Sequence, residues 1–274
     1  MRSLARLELI LGATLMILIG GAVLLSPLLF PDSGKTPNLA ARLIPPFEQW
    51  AHLFGTDPLG RDILARVAAG GRISFIVGIA SALGAITLGT VIGLLAGYYR
   101  GFWDSLLMRF ADIQLALPFI LLAITVITIT GPGLWQIILI MIVTQWVQYA
   151  RLIRGSVLSL RQMEYVQAAR SYGLPDRHIL FRHILPNAIG PLVILATLNV
   201  ANNILLESSL TFFGLGIDPQ IPSWGGTLAD GRNYIQDAPW VTIFPGLAIM
   251  FTVLGLNLLG DWLRDHLDPL GRLK

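Results

Sequence analysis

Five stretches of this 274-residue sequence contain no charged residue over 23 or more positions, and they restrict the possible folds more than any other feature. They are Leu9–Pro31, Ile73–Tyr99, Ile113–Ala150, Ile184–Leu206 and Ala238–Gly260. A helix needs about 20 apolar residues to cross the roughly 30 Å core of a bilayer. Only 13% of the residues are charged, about half the fraction in an average soluble domain. The sequence therefore predicts an all-α integral membrane protein.

The third stretch covers 38 residues, which is too long for a single crossing. It contains Gly131-Pro132-Gly133, a turn sequence that ends a helix, so we predict two spans, Leu106–Thr130 and Leu134–Ala150. The first stretch is longer than the apolar core of a cleaved signal peptide, and we interpret it as an uncleaved first span. The total is six transmembrane helices.

The positions of the 19 Lys and Arg residues predict the orientation. With the N-terminus inside, 13 of them lie in cytoplasmic segments and 6 outside, as the positive-inside rule favours, so both termini are predicted to be cytoplasmic. Residues 151–186 then lie inside, and residues 32–72 and 207–238 outside. We expect a short amphipathic helix over Arg61–Gly70 in the first outer segment.

The chain shows no internal repeat, which predicts one membrane domain. Its predicted parts are a first span with an external segment (1–72), a transmembrane core (73–262) and a cytoplasmic tail (263–274). Small residues recur at every fourth position of the second span: Ser81, Ala85, Gly89, Gly93 and Gly97. They form one stripe, which favours close packing against another helix over a moving contact.

The predicted inner loop reads as two short helices joined by a sharp elbow. Gly173 suits the left-handed position that ends the first helix, and Pro175 can open the second. Leu185 precedes Pro186 and is therefore biased away from helix, so we expect another turn before the fifth span. A rigid elbow held off the membrane is a docking surface.

This loop resembles the cytoplasmic loop of bacterial ABC-importer permeases, which carries Glu-Ala-Ala, three residues, Gly, nine residues and Ile-x-Leu-Pro. Here the matching residues are Gln167-Ala168-Ala169, Gly173 and Leu185-Pro186. The sequence departs from the pattern at Gln167, where the family has Glu, and at His183, where it has Ile. The spacing is retained.

Further segments resemble the second (C-type) permease subunit of dipeptide, oligopeptide and nickel importers, within the binding-protein-dependent transport inner-membrane component family. The matching segments are spread over nearly the whole chain: Gly55–Asp62, Arg151–Gly155, Glu207–Gly216, Pro222–Gly225 and Asp261–Asp265.

The resemblance implies half of a translocation pore for peptides in the bacterial inner membrane, with nickel complexes or glutathione as alternative cargo. The implied partners are a sister permease, two cytoplasmic ABC ATPase subunits and an external substrate-binding protein, with no nucleic acid. ATPase coupling is assigned by the resemblance to Gln167, Ala168, Ala169, Arg170, Gly173, Leu174, Leu185 and Pro186. The chain has no phosphate-binding Gly-x-x-x-x-Gly-Lys-[Ser/Thr] motif, so ATP and Mg are expected on the partner subunits and no cofactor or enzyme activity on this chain.

The fifth span carries Asn199, Asn202, Asn203 and Glu207 at helical spacing. A polar stripe in a membrane helix either lines an aqueous path or bonds to neighbouring helices, and both remain open for the asparagines. An ionisable group is costly at the bilayer centre, so we expect Glu207 near the outer interface or in water.

Trp224 and Tyr234 lie in the second outer segment, and we predict that they contact the binding protein, because aromatic residues are enriched at interface hot spots. A membrane-interface aromatic belt is the alternative. His178 and His183 lack the spacing of a metal site, and none is expected. A secondary transporter or a membrane-embedded hydrolase is a less favoured class, because neither inverted repeats nor paired catalytic groups are visible.

Overall fold

The computed structural model describes residues 2–267, with side chains from Arg6 onwards. Regular structure in this part of the chain is helical, without a β-strand. Its helices are α1 (Arg2–Leu29), α2 (Ile63–Tyr99), α3 (Gly101–Ala116), α4 (Phe119–Thr130), α5 (Leu134–Leu160), α6 (Glu164–Ser171), α7 (Asp176–His178), α8 (Leu185–Phe212), α9 (Trp224–Gly231) and α10 (Trp240–Leu267). A π-helical turn, Ile179–Ile184, joins α7 to α8.

Five continuous helical segments are long and apolar enough to cross a membrane, and α3 and α4 together form a sixth candidate. The predicted span Leu106–Thr130 is bent, because α3 and α4 meet at an angle of 85°. The break lies at Leu117 and Pro118. Leu117 is extended (φ −89°, ψ 119°), as the residue before a proline tends to be.

The helix α2 begins at Ile63 and runs for 37 residues without a break. The amphipathic stretch Arg61–Gly70 is therefore not a separate helix, and that prediction is wrong. Asp62 caps the helix, since its side chain accepts a hydrogen bond of 2.7 Å from the Ala65 N–H. Nothing between this cap and Tyr99 breaks the backbone ladder, because the stretch contains no proline.

The small-residue stripe of α2 packs against α5, which confirms the packing interpretation. A Cβ atom added to Gly93 would lie 2.5 Å from the Ala150 carbonyl oxygen, and one added to Gly97 would lie 2.8 Å from the Val157 Cβ atom. The two backbones approach so closely that no side chain fits between them. This seam aligns the inner end of α2 with the inner end of α5 and fixes where the following loop starts.

The predicted turn at Leu185 and Pro186 is also wrong. Leu185 is helical (φ −56°, ψ −45°), and Asp176–Phe212 forms one helix of 37 residues. Proline lacks an N–H and its ring collides with the carbonyl of the preceding turn. The π turn directly before Pro186 widens the helix there and accommodates the ring without ending the helix.

The first helix lies beside the last one. A Cβ atom on Gly12 would be 3.0 Å from the Gly255 carbonyl oxygen, so α1 and α10 are in backbone contact. Near its C-terminal end α1 also reaches α2, where Val23 meets Gly71. Val23, Ile204, Trp224 and Ile249 form a buried cluster that joins α1, α8, α9 and α10.

Candidate functional site

The elbow of the inner loop is a Schellman turn at the end of α6. Gly173 has φ +74°, the left-handed conformation that glycine adopts without a steric penalty. The Gly173 N–H donates to the Arg170 carbonyl (3.0 Å) and the Leu174 N–H donates to the Ala169 carbonyl (3.3 Å). Both hydrogen bonds satisfy carbonyls that the helix end would leave unpaired.

One face of α6 is buried and the other is open. Val166 and Ala169 are 2% and 6% exposed and belong to the core cluster that also contains Tyr98. Gln167, Ala168 and Arg170 are exposed. The helix therefore rests on the bundle through two small apolar contacts, while three of the predicted coupling residues face outward.

Leu174 lies beside this open face, whereas Leu185 and Pro186 do not. Leu174 is 37% exposed and the neighbouring Tyr172 is 86% exposed. Leu185 packs against the core cluster in the continuous helix, whereas Pro186 is exposed. The structure brings Gln167 to Leu174 together on one short elbow and places Leu185 and Pro186 beyond the π turn.

Tyr98 holds this elbow to the inner end of α2, and the sequence interpretation missed it. Its hydroxyl donates a 2.6 Å hydrogen bond to the Asp176 carboxylate. The Arg170 guanidinium lies over its ring, 5.3 Å from the centroid, as in a cation–π contact. Arg161 donates from Nη1 to the Tyr98 carbonyl at 3.1 Å. Tyr98 therefore contacts both helices of the elbow, although 78 residues separate it from Asp176.

Two of the asparagines in the polar stripe bond to neighbouring helices. Asn203 is 0% exposed, accepts a 2.6 Å hydrogen bond from Gln145 of α5 and donates to the Gly78 carbonyl of α2 at 3.3 Å. Asn199 donates to the Tyr149 hydroxyl at 3.0 Å. Asn202 is exposed. Of the three asparagines, Asn202 alone presents its side chain to the outside of this chain.

Glu207 is buried, so of its two expected positions, near the outer interface or in water, the second is wrong. It is 0% exposed and is held by hydroxyl groups, from Ser74 (2.8 Å), Thr211 (2.9 Å) and Ser208 (3.3 Å). Hydroxyl donors reduce the cost of burying a carboxyl group, because a buried polar group without a partner is strongly disfavoured. Ser74 belongs to α2, so this contact ties α8 to α2.

Trp224 is also buried, which contradicts the prediction that it contacts a partner in this conformation. It is 0% exposed and its Nε1 donates to the Val67 carbonyl at 2.8 Å. Tyr234 is half-buried, and its hydroxyl accepts a 3.4 Å hydrogen bond from Arg42. The most exposed aromatic residue of the predicted outer segments is Trp50, at 92%. The sequence alone does not distinguish buried from exposed aromatic residues, because a tryptophan in the core and a tryptophan on the surface are the same residue.

Three buried charged residues and the partly exposed Asp230 form a cluster at the N-terminal end of α2. Asp57 is 0% exposed, accepts hydrogen bonds from the N–H groups of Leu59 (2.8 Å) and Arg61 (2.9 Å), and pairs with the Arg61 side chain (2.5 Å). These local contacts close the turn that precedes α2. Asp230 of α9 extends it, since its carboxylate accepts from both Arg61 (2.7 Å) and Arg66 (2.8 Å).

The two loop histidines have their ring centroids 5.6 Å apart. Within residues 2–267, no group of three or more His, Cys, Asp or Glu side chains is placed to bind a metal ion. One end of the helical bundle instead carries an exposed elbow, and the other end carries a cluster of charged side chains.

Comparison with known proteins agrees with this arrangement. Residues 89–272 match the family described as Binding-protein-dependent transport system inner membrane component. The chain is 44% identical to the dipeptide transport system permease protein DppC of Alkalihalophilus pseudofirmus, over 89% of this chain and 80% of the relative. It is 47% identical to the glutathione transport system permease protein GsiD of Pectobacterium atrosepticum, over 80% and 73% of the two chains.

A third relative is the oligopeptide transport system permease protein OppC of Haemophilus influenzae, 40% identical over 91% of this chain and 80% of the relative. The fold is similar to that of a chain in an inward-facing structure of the MetNI methionine ABC transporter. That match has a TM-score of 0.62 at 18% identity, and it covers 74% of this chain and 96% of the other. The chain is therefore a multi-pass inner-membrane permease and belongs to the binding-protein-dependent transport system inner membrane component family.

Proposed function

We propose that this chain forms half of the translocation pore of an ATP-driven peptide importer and transmits ATP-driven motion from cytoplasmic partners to that pore. The elbow of α6 carries the proposal: an exposed helix face, ended by Gly173 and held to α2 by Tyr98. A sister permease supplies the other half, two ABC ATPase subunits bind ATP and Mg, and an external binding protein delivers the substrate.

Small peptides are the proposed substrate class. The names of the three relatives specify dipeptides, oligopeptides and glutathione, which is itself a short peptide derivative. A pore half shared by such cargo needs no pocket shaped for one side chain, and selectivity then lies with the binding protein. Uptake of a labelled dipeptide by membrane vesicles that contain all subunits tests this class, with free nickel and glutathione as competitors.

The proposed topology has six spans, with the bent pair of α3 and α4 counted as one, and both termini in the cytoplasm. The natural sequence contains no cysteine, so single cysteines can report sidedness without background. Ser171 lies in the inner loop and Gln236 in the second outer segment, and both are exposed. An impermeant thiol reagent applied to intact cells is expected to label Gln236→Cys and to leave Ser171→Cys unlabelled, and the opposite pattern would reverse the topology.

The coupling role is tested at Gly173. A β-branched residue is a steric outlier at φ +74°, so Gly173→Val is expected to distort the elbow. Gly155→Val is the matched control, because a Cβ at Gly155 meets no atom within 4 Å and its backbone is helical. If the elbow couples ATP hydrolysis to transport, Gly173→Val should lose ATPase co-purification or should hydrolyse ATP without matching uptake. Gly155→Val should do neither. Full assembly with normal uptake in Gly173→Val would exclude the coupling role.

For the translocation path, we propose Asn202 as the side chain that meets the substrate. Asn199, Asn203 and Glu207 hold α8 to α2 and α5 in this conformation, and their proposed role is to set the position of that helix. For the binding protein, Tyr234 remains the proposed contact, with Trp50 as a further exposed aromatic residue on the same side. Trp224 supports this surface from inside.

A further inference from the structure

An open groove of about 570 Å³ lies between α1 and α2, outside the regions that the proposed function uses. Met16, Gly20 and Leu24 line it from α1, and Arg72, Ile76 and Leu83 line it from α2. The first helix precedes the segment that matches the family, which begins at residue 89. The part of α2 that lines the groove, residues 72–83, precedes that segment as well.

The polarity of this groove changes along its length. Arg72 is the only charged residue among its lining residues, which are otherwise apolar or glycine. Arg72 is exposed, and within residues 6–267 no carboxylate lies within 4 Å of its guanidinium group. It directly precedes the uncharged stretch that begins at Ile73. An arginine beside an apolar groove is stabilised by an anion, because charge near hydrocarbon is costly.

The length of the groove matches one leaflet of a bilayer. Its lining on α2 extends from Arg72 to Leu83, a rise of about 17 Å along the helix. Half of the hydrocarbon core is about 15 Å thick. A groove that is apolar over the length of one leaflet and has a single cation at its outer end is complementary to a phospholipid. In a phospholipid, one phosphate lies above an acyl chain.

Gly20 keeps the groove open. A Cβ atom added there would meet no atom within 4 Å, so the missing side chain is not required by close helix packing. The wall behind the groove is firm, since the Phe75 ring lies against the buried Trp224, with centroids 5.9 Å apart. A rigid wall with an open front can hold a ligand that the bilayer itself supplies.

We propose that the groove between α1 and α2 binds an anionic phospholipid, with its phosphate on Arg72 and one acyl chain along the groove. The bound lipid fills the space that Gly20 leaves and joins α1 to α2. The outer leaflet as its source depends on the proposed topology, whereas the site itself does not. Failure of the topology test would move the lipid to the other leaflet and leave its contacts unchanged.

The test uses the full chain with its partner subunits in nanodiscs of phosphatidylcholine that contain a photoactivatable phosphatidylglycerol. Crosslinked peptides are located by mass spectrometry. The expected sites are residues 16–24 and 72–83. Arg72→Gln removes the charge and is expected to lower crosslinking about tenfold, the size of one charge-assisted contact. Gly20→Leu fills the groove and is expected to lower it as strongly.

Gly21→Leu is the matched control, because Gly21 also meets no atom within 4 Å but does not line the groove. It is expected to crosslink like the unmodified chain, and Arg72→Lys is expected to retain most of the signal. Equal crosslinking in Arg72→Gln, Gly20→Leu and Gly21→Leu would overturn the proposal. Crosslinks located outside the groove would also overturn it. So would a disulfide between Ile79→Cys and a cysteine placed in the sister permease, because the partner would then cover the groove.

Discussion

The two ends of this permease are built in opposite ways. At the proposed outer end, residues 55–66 and α9 form a closed cap in which Asp57 and Trp224 are 0% exposed and Arg66 is 2% exposed. At the proposed inner end, the elbow formed by α6 and α7 buries two side chains of α6 and exposes the rest. The outer cap pairs its own charges, whereas the inner elbow leaves most of one helix face exposed.

This difference indicates where each end gets its stability. Buried ion pairs are costly to form and more costly to break, so a cap of this kind keeps one arrangement. An elbow held by one tyrosine, two small apolar contacts and a glycine turn is much less constrained. The outer cap is thus suited to fixing α2, and the inner elbow to moving with what binds it.

The largest expected effect comes from breaking the outer cap. Asp57→Asn leaves Arg61 and Arg66 with the partly exposed Asp230 as their remaining acidic partner, and should lower the free energy of unfolding by about 3–5 kcal/mol. Asp237→Asn, at an exposed position, is the control and should change it by less than about 0.5 kcal/mol. Denaturing-detergent titrations of both variants measure the difference, and equal stability would mean that the cap is not the rigid end.

The second effect concerns the seam that joins the two ends. Gly93→Ala places a methyl group against the Ala150 backbone oxygen and should cost about 1–3 kcal/mol, because the helices must separate. Gly84→Ala is the matched control, since its methyl group meets the flexible end of the Ile142 side chain, which can rotate away. If both variants unfold alike, α2 and α5 do not behave as one rigid unit.

A smaller effect is expected at the inner elbow. Tyr98→Phe removes the hydroxyl that binds Asp176 but keeps the ring beneath Arg170, and should cost about 0.5–1.5 kcal/mol of stability. Peptide uptake per ATP hydrolysed should also fall, because the elbow loses its link to α2. This fall should exceed what the small loss of stability explains. Tyr99→Phe, at a neighbouring exposed tyrosine, should leave both quantities unchanged. A fall in stability without a change in coupling would assign Tyr98 a purely structural role.

The smallest effect on stability is expected at the surface of the outer cap. Tyr234→Phe loses one long hydrogen bond from Arg42 but keeps the ring packed beside Ile63, and should change the free energy of unfolding by at most about 0.5 kcal/mol. Stimulation of ATP hydrolysis by the binding protein should nevertheless decrease. Asn233→Ala, at the adjacent exposed position, serves as the control. Unaltered stimulation in Tyr234→Phe would remove this hydroxyl from the proposed docking surface.

The apolar stretches and the loop spacing predicted the helical membrane fold and the family correctly, because both signals are local in sequence. Pro118 and Pro186 show what the neighbouring sequence cannot predict. Pro118 ends α3 although it lies inside an uncharged run, whereas Pro186 does not end its helix, because a π turn precedes it. Whether a proline breaks a helix depends on how the preceding turn adapts, and this is not written in the residues beside it.

Burial was the other property that sequence could not supply. Glu207 looked like an interface residue because the hydroxyl of Ser74, 133 residues away, was not visible as its partner. Asp230 and Arg66 were not linked for the same reason, since 164 residues separate them. Trp224 and Trp50 have the same chemistry, and only their tertiary surroundings decide that one is buried and the other 92% exposed.

The π turn at Ile179–Ile184 has a mechanical consequence for the helix that contains it. Kinks in helices occur at such turns, so this is the natural fulcrum of the rod from Asp176 to Phe212. The arm on the elbow side is roughly 8 Å long, and the arm on the far side roughly 46 Å. Pivoting there would make the displacement at Phe212 about five times the displacement at the elbow. The force at Phe212 would be lower in the same proportion.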